Sequence, residues 1–182
     1  MSTWLANARQ EIDMAVEGMK PEDFLRAPAG KWNTAQILEH LGRAFGSTAK
    51  MLELQLEAGA APQIPSRTWK QRLAVFVVVT LGHLPRGYSA PPGTLPEGLD
   101  GLTAFMKLRE ALKRMDRALA EAESRWGKGR IAVHPILGPL TAAQWRKFHF
   151  VHARHHMKQV RERRNAPIAR GEAEGVKNVH QS

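Results

Sequence analysis

At 182 residues, with 27 Lys and Arg against 17 Asp and Glu and a formal net charge of +10, the chain can bury a core and is basic enough to attract anions. It has no cysteine, which excludes disulfides, thiolate metal ligands and a cysteine nucleophile together. Charged and apolar fractions near globular averages argue against wholesale disorder, and no dense basic block marks a nucleic-acid-binding tract.

Residues 2–19 carry Trp4, Leu5, Ala8, Ile12, Ala15, Val16 and Met19 at helical spacing with charged residues between them, an amphipathic helix. The first residues lack a basic segment followed by an apolar run, so no secretory signal is expected. Pro21, Pro28 and Gly30 mark a connection over 20–32. A second helix starts at Asn33, where Asn33 and Gln36 form a capping box and Trp32 and Ile37 a hydrophobic staple. It runs to about Ala58, before Gly59 and Pro62. Its apolar face is built by Ile37, Leu41, Ala44, Phe45, Thr48 and Leu52, and His40 falls at the margin of that face.

Residues 67–84 contain the longest apolar stretch, Leu73 to Leu81, far short of the ~20 residues a membrane-spanning helix needs. No transmembrane segment and a cytoplasmic location are therefore expected. The β-branched content suits a buried strand; the helical surroundings favour a short helix that is apolar on all sides. No acidic residue occurs between Glu57 and Glu97, so this region is locally basic. Residues 85–100, rich in Pro and Gly, predict a long loop of the kind that covers a site. Helical spacing resumes over 101–124, and Gly127, Gly129, Pro135, Gly138 and Pro139 predict a loop over 126–140. The last helix starts at Thr141, where Thr141 and Gln144 repeat the capping box, and ends near Arg164. The bundle is expected to occupy 1–166 and a mobile tail 167–182.

That last helix carries the chemistry. With Trp145 at 0° and 100° per residue, His149, His152 and His156 fall within about 40° of one line, joined by Gln159 and Arg163. Arg146, Lys147, Arg154, Lys158, Arg161 and Arg164 fall between roughly 100° and 220°, so imidazoles and cations are segregated. His152 and His156, one turn apart, have the spacing with which two imidazoles grip one metal ion. Without the Glu of His-Glu-x-x-His the pair is not a zincin motif. Spacing alone also allows histidines satisfied by hydrogen bonds inside a bundle. His155 projects off the line.

Trp32-Asn33-Thr34-Ala35-Gln36-Ile37-Leu38-Glu39-His40-Leu41 resembles the second-helix signature of the DinB-like superfamily. His134-Pro135-Ile136-Leu137-Gly138-Pro139-Leu140-Thr141, Trp145 and His152-x-x-His155-His156-x-x-Gln159 resemble the C-terminal half of one of its branches, a domain of unknown function. The resemblance implies an all-α four-helix bundle, here with an extra short apolar helix and a long loop between the second and third main helices. It also implies a metal triad of His40, His152 and His156. Assigned activities in the superfamily include thiol-dependent transferases, isomerases and amidase-like enzymes, so the resemblance carries the triad rather than the reaction.

The leading expectation is a metal-dependent hydrolase or thiol-dependent transferase acting on a small molecule. Zn²⁺ is the first choice of metal, and Ni²⁺, Mn²⁺ or Fe²⁺ suit the same ligands. His149 is the candidate catalytic side chain, and Glu39 could assist proton transfer. The alternative is a non-catalytic, metal-stabilised module whose basic surface binds an acidic partner. No recognition helix or aromatic-interleaved basic groove supports nucleic-acid binding. A homodimer built on the apolar helix around Val75–Val79 is a further expectation.

Overall fold

The computed structural model describes residues 2–59, 61, 63–85 and 90–166. The expected mobile tail 167–182, and Arg86 at the end of the basic stretch, lie outside the described residues. Four long helices make the bundle: α1 (Thr3–Val16), α2 (Thr34–Ala58), α4 (Gly101–Trp126) and α5 (Ala142–Arg163). A short α3 (Trp69–Val75) lies between α2 and α4, and strands β1 (Arg130–His134) and β2 (Gly138–Thr141) between α4 and α5. α2 packs chiefly against α4, and α1 against α5. The core between them is closed by Leu5, Ile12, Ile37, Leu38, Leu41, Phe45, Leu108, Leu112, Met115 and Leu119, all almost fully buried. No helix among the described residues is long and apolar enough to cross a membrane.

Local chemistry sets the helix starts. Asn33 and Thr141 each accept from the backbone N–H three residues on, and Gln36 and Gln144 return the bond to the cap backbone. These are the capping boxes expected at those positions, and they satisfy N–H groups that would otherwise lack partners. The same Thr-x-x-Gln pattern at Thr68–Gln71 starts α3. α2 ends at Gly59, which takes the left-handed conformation with φ 77°. Gly42 lets α2 approach α4 closely: a Cβ there would lie 3.3 Å from the Leu108 backbone.

Two stretches differ from expectation. Residues 69–80 are helical and the Leu73–Val79 part is apolar all round, as expected, but it is not buried on all sides. α3 continues into a π-helical turn over Phe76–Thr80, which buries Val75, Val78 and Val79 and leaves Trp69, Leu73, Phe76 and Leu81 more than half exposed. Of the valines in this stretch, Val75, Val78 and Val79 face the core and Val77 lies along a cavity wall. The second difference is an antiparallel hairpin within the expected loop 126–140, pairing Ala132 with Leu140 and His134 with Gly138. Ile131, Ala132, Leu137 and Leu140 are buried on it. Its glycines and prolines read as a loop, but all except Pro139, which pairs with Val133, sit at its ends and its turn: Gly138 has φ 70°, and a Cβ there would meet the Gln71 side chain at 2.5 Å.

Candidate metal centre

α2 brings His40 and α5 brings His152 and His156 to one point. His152 Nε2 lies 3.3 Å from His40 Nε2 and 3.1 Å from His156 Nε2. Ligand atoms of the three rings all lie within 4.8 Å of one another, and this group could hold a metal ion. Nitrogens bound 2.0–2.1 Å from a tetrahedral ion are about 3.3 Å apart. The margin position expected for His40 is more enclosed than helical spacing suggests, because the ring is only 4 % exposed.

The outer ring nitrogens say where the lone pairs point. His40 Nδ1 is 2.9 Å from the Thr94 carbonyl oxygen. A carbonyl only accepts, so the proton is on Nδ1 and the Nε2 lone pair faces the other rings. Gln159 places its amide nitrogen 3.4 Å from His155 Nε2 and its oxygen 2.8 Å from His156 Nδ1, so His156 also donates outward through Nδ1. His152 Nδ1 is buried with no hydrogen-bond partner. One choice protonates His152 Nε2, which then divides a single hydrogen between two acceptors and leaves Nδ1 bare. The other lets three lone pairs meet. A cation at the centre satisfies all three, and two of the three rings already have the outward hydrogen bond usual for metal-bound histidine.

Burial lowers the pKa of each ring. His40 is held below its ordinary value by desolvation, opposed by its bond to Thr94. His152 is held well below by desolvation and then by the neighbouring imidazoles His156 and His40. His156 follows the same order, desolvation first and His40 next. Neutral imidazole is the metal-binding form.

The triad faces a cavity of about 710 Å³. Among the described residues its lining holds no carboxylate and one Lys or Arg, Lys70, whose Nζ sits 5.8 Å from the centre of the Trp69 ring. Part of the expected covering loop forms one wall, through Ala90, Pro91, Gly93 and Thr94.

His149 also lines this cavity and is 1 % exposed. Its Nε2 lies 3.1 Å from Thr48 Oγ1, which itself donates to the Ala44 carbonyl at 3.2 Å. His149 therefore donates through Nε2, and its Nδ1 is buried without a partner. Its ring stacks on Trp145 with centroids 5.7 Å apart. Burial, aided by His134, pushes its pKa to about 3.

Glu39 is elsewhere engaged. Its carboxylate accepts from the backbone N–H groups of Glu97, Gly98 and Leu99 at 2.8, 3.0 and 3.0 Å, and it anchors the loop that orients His40. It does not line the cavity, so the proton-transfer role suggested for it finds no geometric basis. His155, off the ligand line as expected, supports the site through Gln159.

Sequence reasoning missed three partners. The i,i+3 spacing of His156 and Gln159 could have revealed the first. Thr94 acts through a backbone carbonyl, which leaves no signature. Arg163 donates from Nε to the Trp32 carbonyl at 2.9 Å, tying the end of α5 to the start of α2, and its place on the histidine line was the available sign.

A helical bundle with imidazoles converging from its second and last long helices defines an all-α class with a potential three-histidine metal centre. The family model of the DinB superfamily matches residues 5–160, and the chain belongs to that superfamily. Comparisons with curated proteins and with solved structures gave no match.

Proposed function

We propose that the protein is a metal-dependent enzyme, of hydrolase or thiol-dependent transferase type, in which His40, His152 and His156 hold a divalent ion beside a small-molecule pocket. The observation that carries this reading is the convergence of three Nε2 atoms on the wall of the cavity. Structural zinc sites are closed by four protein ligands, whereas catalytic ones keep three and an open position. The three-imidazole set with a cavity beside it matches the second pattern. Zn²⁺ fits the nitrogen spacing, and Ni²⁺, Mn²⁺ or Fe²⁺ suit the same donors.

When bound, such an ion supplies Lewis acidity toward a substrate oxygen or a thiol. The chain's own groups do the rest. The Thr94 carbonyl and Gln159 fix two ring orientations, Phe148 stacks on the His152 ring with centroids 5.7 Å apart, and apolar walls flank the site. His149, neutral near pH 7, is suited to hold a substrate by a hydrogen bond and unsuited to deliver a proton.

Protein purified without a His tag should take up close to one equivalent of Zn²⁺, read by elemental analysis and titration calorimetry. Uptake below a tenth of an equivalent after reconstitution would sink the site. A combined His152→Ala, His156→Ala variant should lose binding. Gln159→Leu should weaken it about 10- to 100-fold by freeing the His156 ring. Ester, amide or thiol-transfer turnover that vanishes with a chelator and in the double variant would carry the enzymatic half. A salt-dependent complex with an acidic partner, unchanged by chelation and without turnover, would favour a binding module instead.

A further inference from the structure

The cavity beside the triad has a chemical character of its own. Leu73, Val77, Leu84, Val133, Ile136 and Phe148 contribute to its walls. Its volume of about 710 Å³ lies within the range that encloses a drug-sized molecule. Among the described residues the lining has no carboxylate and a single Lys or Arg, Lys70, next to Trp69 at the mouth. The polar groups near the metal end are largely engaged within the protein: Thr48 with Ala44 and His149, Gln159 with His156 and His155, and Thr94 Oγ1 with the Pro91 carbonyl. A polar substrate bearing several charges would lose its hydration there without counter-charges to replace it, which is strongly unfavourable. An apolar body would meet matching walls, with one polar end left for the triad.

We propose that the cavity takes a largely apolar molecule, an alkyl, acyl or aryl compound carrying one polar group that is presented to His40, His152 and His156. This rests on the metal reading above and narrows it: a hydrophilic, multiply charged thiol is not the molecule enclosed by these walls. Leu73 and Ile136 set the affinity for the apolar part. Both are about half exposed, at 55 % and 48 %, so they can be changed without opening the core.

The test is calorimetric titration of Zn²⁺-loaded protein with acetohydroxamic and octanohydroxamic acid, which share a metal-binding head and differ in chain length. Each buried methylene should tighten binding roughly two- to fourfold, so the longer probe should bind more than fifty-fold tighter. A Leu73→Ser, Ile136→Ser variant should lose most of that gain and keep both its metal content and its affinity for acetohydroxamic acid. Equal affinity for the two probes overturns the inference. So does reduced glutathione displacing acetohydroxamic acid more effectively than octanohydroxamic acid does. Metal-loaded protein that binds neither hydroxamate overturns the apolar reading alone, while protein that takes up no metal overturns the metal reading and this one with it.

Discussion

The His134 ring sits where β1 turns toward β2, and its Nδ1 accepts from the backbone N–H groups of Ile136 and Leu137, both at 3.1 Å. That bonding needs an unprotonated Nδ1, and burial pushes the pKa from 6.5 to about 4. The consequence for stability has a definite sign. Between those two values the unfolded chain binds a proton that the folded ring refuses. The ring's contribution is complete above pH 6.5, falls as the pH drops toward 4, and changes little below that. One pKa unit is about 1.4 kcal/mol; with part of the ring reaching solvent, the loss is on the order of 2 kcal/mol. Asn can accept the same two bonds without titrating. Denaturant midpoints of His134→Asn, measured in chelator from pH 7 to pH 4, should therefore fall less steeply than those of the wild type. His149, pushed the same way chiefly by burial and in lesser part by His134, contributes to both curves and largely cancels in the difference. Parallel curves would show that His134 has no such role.

At the scale of elements, one turn of α2 organises the loop that follows the Pro-rich segment. His40 takes the Thr94 carbonyl, Glu39 takes three N–H groups, and Arg43 pairs with Glu97 at 2.6 Å. Removing the Glu39 carboxylate leaves those N–H groups without their anion, so Glu39→Ala should cost about 2–4 kcal/mol in denaturant unfolding. It should also loosen the hold on His40 and weaken Zn²⁺ binding in calorimetry. Unchanged metal affinity in a folded variant would uncouple the loop from the site. This turn also shows why some elements were legible in the sequence and others were not. The helix starts at Asn33 and Thr141 are written within four residues, because each cap side chain and its N3 partner bond to each other's backbone. The hairpin depends on pairs such as Ala132 with Leu140, whose strands are too short to show alternation. The loop around Thr94 is held largely through its backbone groups, which leave no mark in the sequence, with the Arg43–Glu97 pair beside them.

Across the whole molecule, the basic charge of α5 is largely tied down. Arg146 pairs with Glu123 at 2.6 Å and Arg161 with Glu11 at 2.5 Å, while Lys147 and Arg154 donate to the carbonyls of Thr80 and Gly82 at the end of the π-helical turn. These cations, segregated from the imidazoles as their helical angles predict, fasten α5 to its neighbours, a pairing those angles could not show. The His152–His156 pair was legible from its one-turn spacing on the last helix, and His40 as its partner from the resemblance of the second-helix segment to the superfamily signature. The cavity wall was not, because it comes from the exposed side of α3, the loop and the hairpin turn. The triad also joins α2 to α5, two helices that share few other direct contacts. A metal held there binds the folded chain and not the unfolded one, so it stabilises by mass action: about 2.7 kcal/mol at a free concentration 100 times Kd. For a bundle of this size each kcal/mol raises Tm by roughly 2–4 °C, so saturating Zn²⁺ should raise it by roughly 5–10 °C and a chelator should reverse the rise. The combined His152→Ala, His156→Ala variant should melt at one temperature with or without Zn²⁺. If the wild type binds Zn²⁺ in calorimetry yet shows no rise in Tm, the ion is held equally well by the unfolded chain, and the triad does not join α2 to α5.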